Sequence, residues 1–200
     1  MTDIDWHESV ESLLSELCDE AQIRCRLHNR HHHWYATRNK RYTLPVVVLS
    51  ALSGSGNFLA GQFPVVEKHL IIGIGCISIF ISIISAVSQF LKLAELSENH
   101  RIAGLAWNKF YTKLKLTLLL QRHDRSDCRE FFSSVVSDYE RLSEISPDLL
   151  DKFKNNLKKK LEKRDLGNFQ LPFYLNGYKH ISPIDVWEDN SLEIAGSHND

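Results

Sequence analysis

Charge is missing from two stretches of this sequence, Thr43–Val66 and Leu70–Leu91, with only Glu67, Lys68 and His69 between them. Each is long enough to cross a bilayer, since about 20 apolar residues at about 1.5 Å rise cover about 30 Å of hydrocarbon. A basic leader is missing too. Met1–Glu20 carries Asp3, Asp5, Glu8, Glu11, Glu16, Asp19 and Glu20, the reverse of an export signal's basic start. The first apolar segment is therefore expected to act as its own insertion signal. Cysteine is scarce: Cys18, Cys25, Cys76 and Cys128 show no CxxC spacing. That argues against a zinc or disulfide framework and for free thiols in a reducing compartment.

Chemistry-bearing motifs are equally thin. Gly54-Ser55-Gly56 and Gly73-x-Gly75 lie inside apolar segments, with no preceding strand and no following Lys-Ser/Thr, so they are not phosphate loops. Ser53-Gly54-Ser55-Gly56 lacks the strand-to-helix setting of a nucleophile elbow. The flanks of the apolar block, roughly 42 and 109 residues, are small for an independent enzyme. The expectation is a non-enzymatic protein with no cofactor and no metal.

What is present is a hairpin hidden by its averages. With 43% hydrophobic residues and net charge −1, the chain of 200 residues resembles a soluble domain until it is read in windows. The expected fold is an all-α membrane protein: a two-helix transmembrane hairpin with a helical cytoplasmic bundle, oligomeric. Its parts are an amphipathic cytoplasmic helix (1–42), the hairpin (43–91, spans about 44–63 and 70–91), a stalk and bundle (92–164) and a mostly irregular acidic tail (165–200). Arg38, Lys40 and Arg41 precede the first span, and Lys92, Arg101, Lys109, Lys113 and Lys115 follow the second. Positive residues stay on the cytoplasmic side, which puts both termini there and two spans in the cell membrane.

Small polar residues line one face of each span. Ser50, Ser53, Asn57 and Gly61 recur at three- or four-residue spacing, as do Ser78, Ser82, Ser85 and Gln89. Two uses fit: close helix packing through shared hydrogen bonds, or the lining of a hydrated path between copies. Two helices enclose no conduit, so the second use requires a homo-oligomer.

Beyond the second span, Leu93, Leu96, His100, Ala103, Trp107, Phe110, Leu114 and Thr117 keep a heptad spacing, expected as an oligomer seam. A single helix from Leu70 to Leu120 is expected, with Gly104 its weak point. Asp127 to Glu130 has capping-box spacing ahead of the apolar face Phe131, Phe132, Val135, Val136, Tyr139 and Leu142. Ser146-Pro147-Asp148 reads as the start of the next helix, whose stripe is Leu150, Phe153, Leu157 and Leu161. Val10, Leu13, Leu14, Leu17 and Ala21 form a stripe expected to pack on the stalk. Asp151–Arg164 holds seven Lys or Arg against two acids, a solvated face or, with Arg38, Lys40 and Arg41, a membrane-surface patch through Lys158, Lys159 and Lys160. Nucleic acid is not an expected partner.

Histidines are the densest ligand cluster. His28 and His31-His32-His33 stand just before the first span, with His28 and His32 at i,i+4. Residence at the headgroup interface is the plain reading, and metal or pH sensing the sharper one. His100 is expected to be a hydrogen-bonded core histidine.

Trp34-Tyr35-Ala36, Leu44-Pro45, Leu49-Ser50-Ala51-Leu52-Ser53-Gly54, Ala94-Glu95 and Asn99-His100-Arg101 follow one another in order. Phe131-Phe132-x-x-Val135, Tyr139-Glu140-Arg141-Leu142 and Ser146-Pro147 continue the series to about Lys160. In this order of parts the chain resembles the SLATT family, two-transmembrane effectors of nucleotide-dependent prokaryotic conflict systems. The resemblance implies a pore-forming effector that permeabilises the cell membrane during an antiviral response. It also implies a nucleotide-synthase or sensor protein as partner. The rival expectation is a non-conducting anchor whose bundle docks a cytoplasmic signalling partner.

Overall fold

The computed structural model describes residues 5–60 and 67–162, and every regular element among them is helical. Helix α1 runs from Glu8 to Ala60, α2 from Glu67 to Phe90 and α3 from Leu93 to Leu119. A 3-10 turn at Arg122–Asp124 leads to α4 (Cys128–Ile145) and α5 (Asp151–Glu162). Residues to Lys154 form one compact unit, and of the second only the end of α5 is described. Gly61, the turn at 61–66 and the expected tail at 165–200 lie outside the described residues.

The longest element is α1, whose 53 residues extend about 80 Å at about 1.5 Å each. Glu8 and Glu11 in its first turn suit the positive end of the helix dipole. The expected division at residue 42–43 is a change of composition and not of backbone, because α1 continues through it. It even contains Pro45, which has no N–H to give the carbonyl of Arg41.

Helices α2 and α3 run back along α1, and contacting pairs keep one antiparallel register. His28 meets His100, His32 meets Ser97, and Ser53 meets Ser78. The expected unbroken helix from Leu70 to Leu120 is corrected here. It breaks at Leu91–Lys92, where Lys92 takes the left-handed φ of 45° and α3 starts without a side-chain cap. Gly104 is no weak point. A Cβ there would sit 2.6 Å from Asn29 Oδ1 and 3.5 Å from His28 Cβ, so its bareness lets α1 approach closely.

Below the break, α1, α3 and α4 enclose a core of Trp6, Leu14, Ala21, Trp107, Phe110, Leu114, Phe131, Val135 and Leu142, with Cys18 and Cys128. Trp107 is fully buried. Its indole N–H donates to Ser146 Oγ at 2.8 Å, and the Arg24 guanidinium lies 4.8 Å from its ring centre. Tyr139 O–H donates to Glu20, which also holds Arg24. Half of the expected capping box forms: Asp127 is the N-cap and accepts from the Glu130 amide at 2.9 Å. The expected start at Ser146 does not. Ser146 closes α4, bonding Leu142 and Trp107, and α5 begins at Asp151.

Candidate functional site

The apolar upper part of α1 and nearly all of α2 form an arm that the chain itself scarcely covers. Among the described residues one helical stretch, Lys68–Leu119, includes a segment long and apolar enough to cross a membrane, and 6% of that segment is buried. Leu44, Val47, Val48, Leu52, Ile71, Ile72, Ile79, Phe80, Ile83 and Phe90 are all exposed.

Among the described residues the two polar stripes meet within the chain at one point. Ser53 is buried, its hydroxyl 3.2 Å from that of Ser78. Beside it a Cβ on Gly56 would come within 3.1 Å of Ile74, so the small residues set the helix spacing. The other members do not converge there. Ser50, Asn57, Ser82 and Gln89 are exposed, and Ser85 is half-buried. Ser82 donates back to the Ser78 carbonyl, and Ser55 to that of Ala51, so both hydroxyls are satisfied locally. The structure thus divides the stripe: its Ser53–Ser78 part packs, and its Asn57 and Gln89 parts face outward.

The heptad seam is likewise reassigned. Leu93, His100, Ala103, Trp107, Phe110 and Leu114 are buried within the chain, with Leu96 half-buried. The expected oligomer seam is closed by the chain's own helices, because the stripe on α1 supplies the matching apolar face. Leu14 and Ala21 of that stripe are buried, Val10 and Leu17 half-buried, and Leu13 exposed.

The histidines do not sit at an exposed interface as a group. His28, His31 and His100 are buried together, while His33 is exposed. The Nδ1 atoms of His28 and His100 are 3.0 Å apart, so one donates to the other. His31 Nδ1 donates to the Leu27 carbonyl at 2.7 Å, and its Nε2 accepts from the Leu150 amide at 2.9 Å. That pair of bonds fixes a neutral ring with its proton on Nδ1. The His100 ring stacks on those of His31 and Tyr35, and Phe153 closes the other side of His31. His28 Nε2 is buried without a hydrogen-bond partner.

Burial pushes the His28 imidazole down to about 3, helped by the neighbouring imidazoles and Arg24. Burial likewise takes His100 down to about 4, and it lowers His31. Three neutral rings thus clasp α1, α3 and the entry to α5 together. The i,i+4 pair His28 and His32 does not converge: His32 Nδ1 turns to the Ser97 carbonyl and hydroxyl, both at 3.0 Å. Among the described residues no group of three His, Cys, Asp or Glu side chains is placed to hold a metal. His100 as a hydrogen-bonded core residue was legible from its seam position; its partners on α1 were not.

Arg38, Lys40 and Arg41 are exposed just below the arm. In the second unit Lys159 and Lys160 are exposed and Lys158 half-buried. Comparison with protein-family models, curated proteins and solved structures finds no match to this chain.

Proposed function

We propose that the chain is a membrane effector that crosses the bilayer twice, through 44–63 and 70–91, and assembles into an oligomeric pore that permeabilises the cell membrane. One observation carries this reading: the chain leaves its own most apolar helix uncovered and also leaves exposed Asn57, inside the first span, and Gln89, near the end of the second. Exposed aliphatic groups call for lipid, and an exposed amide inside a span, as at Asn57, calls for protein or water. A ring of copies supplies both environments, with Ser50, Asn57, Ser82, Ser85 and Gln89 turned toward its axis. Both termini then face the cytoplasm. The resemblance to SLATT effectors supports reading this activity as part of a nucleotide-linked antiviral response, triggered by a nucleotide synthase or sensor.

A second reading has its own support in the Ser53–Ser78 contact, which uses part of the stripe for packing within one chain. On that reading the arm is a non-conducting anchor and the bundle docks a signalling partner. Dye release from liposomes separates the two. Wild-type protein is expected to leak dye, and Gln89→Leu to change the leakage rate about tenfold while leaving the protein inserted, since an intramembrane polar contact is worth about 1–2 kcal/mol. No release by inserted, oligomeric wild-type protein would sink the pore.

A further inference from the structure

Between Glu20 and Glu67 the sequence carries six Lys or Arg and no Asp or Glu. Three of these cations, Arg38, Lys40 and Arg41, are exposed within two turns of Leu44, where the apolar segment of α1 begins. Among the described residues no carboxylate pairs with them. Elsewhere in the unit Arg24, Arg101, Lys113, Arg122, Arg125 and Arg141 each have an acidic partner. Arg38 instead covers the indole of Trp34, its guanidinium carbon 4.2 Å from the ring centre.

Two other elements add cations at or just below this level. Lys92 lies between the His32–Ser97 and Ser53–Ser78 pairs, as Arg38, Lys40 and Arg41 do on α1. Its ion pair with Glu95 is 3.4 Å long, with both side chains more than half exposed, and neutralises little. One to two turns below the cations of α1, Phe153 packs against Trp34 at 5.9 Å and His31 at 4.5 Å, which sets the first turn of α5, with exposed Lys152, beneath the same cluster. Positive charge from residues over a hundred positions apart thus gathers at the foot of the apolar arm.

We infer that this collar of Arg38, Lys40, Arg41 and Lys92, with Lys152 beneath it, binds the headgroups of anionic phospholipids. The inference rests on the membrane-spanning reading and adds the lipid class that the protein selects. A nucleic acid or an acidic protein would match the charge alone. A bilayer presents anions and hydrocarbon in adjoining layers, and the collar passes directly into exposed Leu44, Val47 and Val48. Trp34 stands one turn farther from Leu44 than Arg38 does, so its indole steadies the guanidinium from the bundle side and leaves it at that boundary.

Electron spin resonance of the full chain in phosphatidylcholine bilayers, doped with spin-labelled phosphatidylglycerol or spin-labelled phosphatidylcholine, reads the preference. The wild type is expected to immobilise the anionic probe more strongly, and less so as salt is raised. The R38Q/K40Q/R41Q variant should lose about fivefold in relative affinity for each cation that touches a headgroup, the equivalent of about 1 kcal/mol. K40Q/R41Q, which leaves the Arg38–Trp34 contact in place, should lose part of it, and K109Q in the bundle none. Equal immobilisation of both probes by wild-type protein, or an unchanged preference in the triple variant, overturns the collar when alkaline carbonate leaves the protein in the membrane. Extraction by carbonate would instead overturn the membrane-spanning reading, and the collar with it.

Discussion

The bundle and the arm share helix α1 and are built from the same kinds of side chain, yet they treat those side chains oppositely. In the bundle Leu14, Leu114 and Val135 are 0% exposed, whereas in the arm Leu44 is 66%, Ile79 64% and Phe90 86% exposed. At about 25 cal/mol per Å² such exposure in water is a large unfavourable term for the arm and a favourable one recovered by the bundle. The difference shows which solvent each region is adapted to. Water closes the bundle around Trp107, whereas among the described residues no third helix covers the arm, whose cover on the proposed reading is lipid and neighbouring copies.

The largest test of the comparison is a pair of truncations. Trp107→Ala removes a fully buried indole, its hydrogen bond to Ser146 and its stacking with Arg24, and should cost about 3–5 kcal/mol. Phe90→Ala removes a ring that touches little of the chain and should move the bundle's unfolding by less than about 0.5 kcal/mol. Denaturant midpoints of the detergent-solubilised full chain, followed by helical circular dichroism, measure both. Similar losses would mean that the arm packs on something in its own chain after all.

Acid should separate the regions next. The folded-state pKa values of His28 and His100, about 3 and about 4, lie below the ordinary 6.5. The folded state therefore binds fewer protons than the unfolded chain in this range. The clasp's contribution is complete above pH 6.5 and is lost as pH falls toward those values. At pH 5 each of the two should cost about 2 kcal/mol, from about 1.4 kcal/mol per pH unit. Arg24 facing His28 and Lys154 facing His31 add to the repulsion of any proton taken up. An activated disulfide reagent that still works in mild acid should then reach buried Cys18 faster, with Cys76 in the arm unaffected. The H28L/H100L variant should flatten that pH dependence. Equal acceleration at both thiols would break the distinction between bundle and arm.

Periodicity made most of the helices legible, and local chemistry made one boundary so. Asp127 caps α4 as its spacing to Glu130 suggests, because both partners lie within one turn. Ser146 looks equally like a start and is not one, since Trp107, 39 residues earlier, donates to its hydroxyl. The 93–114 seam was readable as an apolar face. Its partner was not, because a heptad shows which side of a helix is apolar and not whose surface meets it. No Gly or Pro marks the break at Lys92, where the backbone turns left-handed on a lysine. The histidine clasp was hidden for the same reason as the seam: spacing along α1 exposes His28 and His32, while the partner that selects His28 and His31 stands on another helix.

The smallest expected effect bears most directly on how the arm uses its polar residues. Ser53→Ala deletes a hydroxyl lying 3.2 Å from that of Ser78, in the one place among the described residues where the stripes touch within the chain. Hydrogen bonds between helices in lipid average about 0.6 kcal/mol, because the separated helices also find partners there. If Ser53 serves packing, this variant should lower the arm's resistance to unfolding in detergent by about that amount, with Ser78→Ala costing the same and the double variant no more than either alone. Dye release should change little, whereas Gln89→Leu should change it strongly and leave unfolding nearly untouched. The opposite pattern would put the conducting surface at Ser53–Ser78 and the packing surface at Gln89. Bundle and arm would then differ in solvent and also in which of their polar groups are structural.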